Sequence, residues 1–182
     1  NQSGIYSSST TANIKNNIVS YTGGGPNTKY GLYLSSAPAS CDYNNIYMNS
    51  VVGGTQYYGY RGSNYSTFAA FQSATPYEVN GHSVDPMFVS ASSGDVTPTN
   101  SLIDDMGTPV GIATDYNGVA RSVVTPDLGA VEFTVAGCTG TPVAGTVSTV
   151  GNITTTCVGS SVNLSLSGFT IGTGISIQWE ES

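Results

Sequence analysis

Positive charge is nearly missing from this 182-residue chain: four Lys+Arg stand against eleven Asp+Glu, for a net charge of -7. Only 8% of the residues carry charge at all. That excludes a nucleic-acid footprint, because nothing here could neutralise a row of phosphates. It makes an anionic membrane surface an equally poor partner. Long apolar runs are also lacking. None approaches the roughly 20 residues of a membrane-spanning helix, so no membrane insertion is expected. Histidine occurs once, at His82, which leaves little for a histidine-based metal site. Cysteine occurs three times, at Cys41, Cys138 and Cys157, and an odd number cannot all pair within the chain.

What is present is small and polar. The 25 Ser, 22 Thr, 23 Gly and 14 Asn account for nearly half of the residues. Such a composition is poor in helix formers and rich in strand and turn residues. The 38% hydrophobic content, with 12 Tyr and 5 Phe, argues against disorder. Asn1-Gln2-Ser3 has no initiator Met or signal core, and Trp179 to Ser182 stops within an alternating pattern; both ends read as cut from something longer. Cys41 reads as a small buried hydrophobe. Cys138 and Cys157 lie in a stretch without Lys or Arg, where a disulfide fits, and this favours an extracellular or periplasmic compartment.

The first fifty residues echo themselves. Gly4-Ile5-Tyr6 returns as Gly31-Leu32-Tyr33, and Asn16-Asn17-Ile18 returns as Asn44-Asn45-Ile46. Each unit has two short apolar patches separated by small polar residues, without helical periodicity. Strands and tight turns repeating every 27 or 28 residues fit stacked coils of a parallel solenoid. Ile5 should then stack on Leu32 and Ile18 on Ile46. Asn at a turn suits such stacking, since one amide can bond the next and Asn tolerates left-handed φ.

Gly53 to Gly62, aromatic and glycine-rich, reads as a loop. One helix candidate follows, Phe68 to Ala74, capped by Ser66 or Thr67 and ended by Pro76. Val84 to Val89, Ser101 to Gly107 and Asp127 to Phe133 read as short strands, and Asn117-Gly118 is a strong turn signal. Residues 134 to 147 read as a boundary. Beyond it, Val162-Asn163-Leu164-Ser165-Leu166 and Ile175-Ser176-Ile177-Gln178-Trp179 alternate as half-buried antiparallel strands do.

Residues 42 to 133 resemble the C-terminal coils of bacterial right-handed parallel β-helix proteins of the pectate-lyase-like superfamily. The resemblance rests on Asp42-Tyr43-Asn44-Asn45, Phe68-Ala69-Ala70-Phe71-Gln72 and His82-Ser83-Val84-Asp85-Pro86-Met87-Phe88. It continues through Leu102-Ile103-Asp104, Thr114-Asp115, Arg121 and Asp127-x-Gly129-Ala130-x-Glu132-Phe133. Residues 138 to 182 resemble the first strands of an Ig-like module of secreted multidomain proteins, many exported by the type IX system. That rests on Cys138-x-Gly140-Thr141-Pro142, Cys157-x-Gly159 and Gln178-Trp179. The resemblance implies an all-β chain: terminal β-helix coils with one short helix over 1–134, then a truncated Ig-like sandwich over 135–182. It also implies that Trp179 packs on a disulfide whose partner for Cys157 lies beyond Ser182.

Several residues invite chemistry. Asp104-Asp105 suggests paired glycosidase carboxylates, but neighbouring strand residues face opposite ways, so Asp104 reads as a turn cap. His82 with Asp85 suggests a base and its orienter, without any second ligand cluster. The lyases of the resembled superfamily use Lys or Arg beside carboxylate-bound calcium. Here cations are few and no Asp run supplies the metal, so no cofactor is expected and Arg121 reads as a structural fork to Asp115 or Asp127. Tyr57, Tyr58, Tyr60, Tyr65 and Tyr77 are the ligand-binding candidates, because aromatic rings stack on sugars; the plainer reading is that they fill loops over the core. The expectation is a secreted or surface segment that displays or binds polysaccharide. A non-catalytic part of a lyase or glycosidase and a bare structural stalk are the alternatives.

Overall fold

The computed structural model describes residues 1–50, 53–135, 145–151, 155, 160, 161 and 163–169. The chain divides into two units, Asn1–Val135 and Ala136–Ser182. Among the described residues it is built mainly of strands, with one short α-helix.

The first unit opens with two rungs of three strands each. The first holds β1 (Gln2–Ser7), β2 (Asn13–Lys15) and β3 (Ile18–Tyr21); the second holds β4 (Lys29–Leu34), β5 (Ser40–Asp42) and β6 (Asn45–Met48). Each strand pairs in parallel with its counterpart, β1 with β4, β2 with β5 and β3 with β6. β7 (Gln56–Tyr60) adds in parallel to β4, and β8 (Asn64–Tyr65) returns antiparallel to β7. Ile5 faces Leu32, as the glycine-aliphatic-tyrosine echo indicates. Ile18, however, faces Asn45, and Ile46 lies opposite Val19. The register is set one residue away from the tripeptide match by the turn before these strands. Asn16 and Tyr43 are the equivalent left-handed residues there, at φ 56° and 59°. Asn44 follows, and its Oδ1 accepts from both the backbone N–H and the side-chain amide of Asn17, each at 2.9 Å.

Ile14, Val19, Leu32, Leu34, Cys41, Ile46 and Met48 form the core between the ladders. The interior is too narrow for a side chain on the strands' glycines. A Cβ on Gly4 would fall 2.3 Å from Val19, and one on Gly31 would fall 2.3 Å from Ile46. Helix α1 (Phe68–Ala74) closes one end of this core with buried Phe68 and Phe71, and its start is capped by Thr67 Oγ1 accepting from the Ala70 N–H. Gly59 leaves room for Phe71, whose ring would lie 2.3 Å from any Cβ there.

From Thr75 to Val135 the chain runs mostly in turns, with 3-10 turns at Ala91–Ser93 and Ser101–Ile103. The strands expected at 84–89, 101–107 and 127–133 are not formed. Each of those stretches contains a left-handed residue, Met87 (φ 51°), Asp105 (φ 59°) and Gly129 (φ 91°), which breaks an extended run. Conversely, the stretch read as a loop contains β7. In the second unit, β9 (Thr146–Thr149) and β10 (Leu164–Ser167) pair antiparallel. The expected strand over 175–180 lies outside the described residues.

The expected β-helix and Ig-like architectures need correction. Among the described residues the sheets are two- to four-stranded, the largest is mixed in direction, and none closes or extends as a solenoid. Parallel stacking ends at β7, because Gly62 (φ 73°) turns the chain back into antiparallel β8. In the second unit the described residues form one two-stranded antiparallel ladder, which does not by itself show an Ig-like sandwich.

Candidate functional site: an outward tyrosine row

The 27-residue register that places Gly4 over Gly31 also aligns tyrosines. Tyr6 pairs with Tyr33, which pairs with Tyr60, and Tyr30 pairs with Tyr57. The rings stack in two columns. Tyr6 and Tyr33 lie 5.7 Å apart at 19°, Tyr33 and Tyr60 lie 4.4 Å apart at 12°, and Tyr30 and Tyr57 lie 5.4 Å apart at 26°. Tyr30 joins the columns edge-on, 4.9 Å from Tyr33. These separations and tilts are those that aromatic pairs favour.

The row is graded in exposure. Tyr6 is 62% exposed, Tyr33, Tyr57 and Tyr60 are half-buried, and Tyr30 is buried. The Tyr30 hydroxyl donates to Asn64 Oδ1 at 3.1 Å. Burial, followed by the neighbouring phenols Tyr57 and Tyr60, pushes the Tyr30 hydroxyl above the ordinary tyrosine range; desolvation and then Tyr60 and Tyr30 do the same for Tyr33. Those two phenols are therefore held neutral at ordinary pH. The row offers polarisable ring edges and hydroxyls.

Of the five tyrosine candidates, the structure brings only Tyr57 and Tyr60 into this row. Tyr58 packs against the core, with its hydroxyl 3.4 Å from the Met48 carbonyl. Tyr65 stands edge-on to Phe71 at 5.5 Å, and Tyr77 is buried in the core. Tyr6, Tyr30 and Tyr33 were missed. Their signal was the 27-residue recurrence of tyrosine itself at 6, 33 and 60 and at 30 and 57.

The acidic residues converge elsewhere. Asp104, Asp105 and Asp127 place carboxylate oxygens within 4.8 Å of one another. The alternation argument for Asp104-Asp105 fails, because these residues follow a 3-10 turn and Asp105 is left-handed. They are the described residues whose geometry could hold a cation, yet each is engaged: Asp127 accepts from the N–H groups of Asp105 (2.6 Å) and Phe133 (2.5 Å), Asp104 accepts from Val135 at 3.1 Å, and Asp105 accepts from the Thr125 hydroxyl at 3.4 Å. Burial pushes the Asp127 carboxyl up to about 6, with Glu132 and Asp104 adding to it. Asp115 caps the Asn117-Gly118 turn. Burial alone would raise its carboxyl, but the N–H groups of Glu132, Val119 and Asn117 hold it below the usual range.

Arg121 is a structural fork with a different partner from those expected. It pairs with Glu132 at 2.7 Å and donates to the carbonyls of Asp127 (3.1 Å) and Gly129 (2.6 Å). Among the described residues this is the one ion pair between side chains. His82 contributes its backbone, bridging to Asn45, while burial lowers its ring pKa; Asp85 accepts from the Met87 N–H. Cys157, Trp179 and Cys138 lie outside the described residues.

A buried polar cluster went unread in the sequence. Glu78, fully buried, accepts from the Cys41 thiol (3.0 Å), the Asn44 side chain (2.6 Å) and the Asn44 backbone (3.1 Å). Lys29, equally buried, donates to the carbonyls of Gly25 (2.7 Å), Asn27 (3.2 Å) and Gly53 (2.9 Å). Both tie turns to the ladders. Among the described residues no helix is long and apolar enough to cross a membrane. No family model, no curated protein and no solved structure matches this chain.

Proposed function

We propose that the chain is a binding and display segment of an extracellular or surface protein, and that the outward tyrosine row contacts neutral glycan. The observation that carries this reading is five tyrosines gathered by register onto one strand surface, graded from buried Tyr30 to exposed Tyr6. Within the columns the ring faces are largely occupied by one another. Contact therefore falls to the open face of Tyr6, the ring edges and the hydroxyls. The net charge of -7 disfavours polyuronates and other anionic polymers. A binding role suits the charged residues too, since Asp115, Asp127 and Arg121 are committed to local structure.

The test is a neutral-glycan array and titration with the full chain. Binding should be weak per site and nearly independent of salt, because no ion pairs are released. Repeated display would then supply avidity. The combined Tyr6→Phe, Tyr33→Phe and Tyr60→Phe chain, which keeps the ring columns, should weaken the signal severalfold while its β-type circular dichroism persists. A second reading, a structural stalk, is favoured by the ring-on-ring stacking, which stiffens the ladder without any ligand. An array without neutral-sugar signal, or one unchanged by the triple substitution, selects the stalk.

A further inference from the structure

The five rings of the outward row form one connected set. Tyr33 touches Tyr6, Tyr30 and Tyr60, while Tyr30 also meets Tyr57 and, edge-on at 6.3 Å, Tyr60. The chain has 12 tyrosines, and among the described residues every ring contact between two of them lies in this set. Tyr58 and Tyr65 face Phe68 and Phe71 instead. Tyr116 is 86% exposed and lies outside the set.

The tightest pair is Tyr33 with Tyr60, at 4.4 Å and 12°. Both are half-buried, and they stand directly opposite each other on the parallel strands β4 and β7. Their backbones are thus held at the strand spacing of about 4.8 Å. A bond between the ring carbons beside the two hydroxyls needs side-chain rotation and no parting of the strands. The thiol that would compete for an oxidant, Cys41, is buried and donates to Glu78.

A phenol that loses one electron and its hydroxyl proton becomes a phenoxyl radical. Its unpaired spin is shared between the oxygen and the ring carbons beside it. A radical on Tyr116 has to await collision with another molecule. A radical in the row has a second phenol in contact, and an electron can pass between touching rings until two radicals meet.

We propose that the row is an oxidative cross-linking site, at which hydrogen peroxide turned over by a haem peroxidase joins Tyr33 to Tyr60 as dityrosine. Each phenol gives up one electron and one proton, and the pair of them reduces one peroxide to two waters. The two radicals couple through the ring carbons beside their oxygens. The hydrogens on those carbons then move to the oxygens as protons, which restores both phenols. Two carbon–hydrogen bonds are broken and one carbon–carbon bond is formed. The product ties β4 to β7 and closes a loop in the unfolded chain, so it stabilises the ladder by restricting that chain. None of this depends on whether the row also contacts glycan.

The test treats the dilute full chain with a haem peroxidase and limiting hydrogen peroxide, then separates monomer from dimer. The monomer should gain dityrosine fluorescence and lose the mass of two hydrogens, and its digest should contain Tyr33 joined to Tyr60. The cross-linked monomer should also unfold at higher denaturant concentration than the untreated chain. Tyr33→Phe and Tyr60→Phe, which keep the rings stacked, should each lower the monomer yield severalfold. Tyr116→Phe should reduce dimer and leave the monomer product as it was. Fluorescence confined to dimers, a monomer link that maps elsewhere, including one confined to Tyr30 and Tyr57, or no dityrosine at all overturns the proposal. So does a monomer yield that neither Tyr33→Phe nor Tyr60→Phe lowers.

Discussion

Asn44 and Glu78 meet at 2.6 Å inside the first unit, the side-chain amide donating to a carboxylate that comes from beyond the helix. The same carboxylate takes the Cys41 thiol and the Asn44 backbone N–H, and among the described residues no cation pairs with it. The remaining charged neighbour is Asp42, of like sign. Burial, opposed by these hydrogen bonds, therefore raises the Glu78 carboxyl above its ordinary value of 4.5, and burial together with Glu78 raises the Cys41 thiol.

Raised carboxyls make stability fall as pH rises. A group whose folded pKa exceeds its unfolded value contributes fully below the unfolded pKa and loses that contribution as pH climbs through the folded one. For Asp127 the window runs from 3.8 to about 6. Denaturant midpoints should decline across it, and Asp127→Asn should flatten that slope while lowering the plateau through an unsatisfied N–H. Asp115, held low, acts in the opposite sense and costs stability only as pH falls below 3.8. A slope unchanged by Asp127→Asn would show that its carboxyl does not titrate in this range.

Lys29 should be a structural cation. Lys29→Met keeps much of the volume but leaves the carbonyls of Gly25, Asn27 and Gly53 without their donor. The expected cost is about 3 kcal/mol in chemical denaturation, with hydrogen exchange rising first in the turns around Gly25 and Gly53. Lys15, half-buried on the first rung's edge, is the control, and Lys15→Met should change little.

Glycines divide into two kinds here. Gly31→Ala places a methyl 2.3 Å from Ile46 and 2.8 Å from the Tyr58 carbonyl, and backbone cannot yield cheaply. Gly62→Ala meets nothing within 4 Å and suffers only its φ of 73°. The first should cost about 3 kcal/mol and the second about 1 kcal/mol. Thermal melts that reverse this order would show that the ladder at Gly31 is looser than described.

The sequence disclosed the ladder better than the site. Gly4-Ile5-Tyr6 and Gly31-Leu32-Tyr33 announce a parallel pair because the interior tolerates only glycine there and the core needs the aliphatic. The Asn echo misleads by one residue, since the conserved geometry is the left-handed turn at Asn16 and Tyr43, two different residue types. Helix α1 was legible from Thr67, Phe68 and Phe71. The tyrosine row was not: local density drew attention to residues 57 to 77, whereas stacking depends on recurrence at 27 residues. Likewise Glu78 gives no local sign that it will be buried beside Cys41 and Asn44, which come from the preceding rung.

The tyrosine columns should serve stability and binding through separable atoms. Tyr33 is stacked on both faces, by Tyr6 at 5.7 Å and Tyr60 at 4.4 Å, and meets the edge of Tyr30. Tyr33→Ala removes all three contacts and should cost about 3 kcal/mol, counting roughly 1 kcal/mol for each ring pair. Tyr33→Phe keeps the column and deletes only a hydroxyl, so its stability should stay within about 0.5 kcal/mol of the parent. A glycan that bonds the outward hydroxyls would register the loss: Tyr33→Phe should weaken neutral-sugar binding severalfold in calorimetry with the melting temperature unchanged. Tyr6→Phe makes the complementary case, because Tyr6 keeps one open ring face and should retain more affinity as Phe than as Ala. Equal binding by Tyr33→Phe, Tyr6→Ala and the parent would leave the columns a purely mechanical role, with their rings spent on one another.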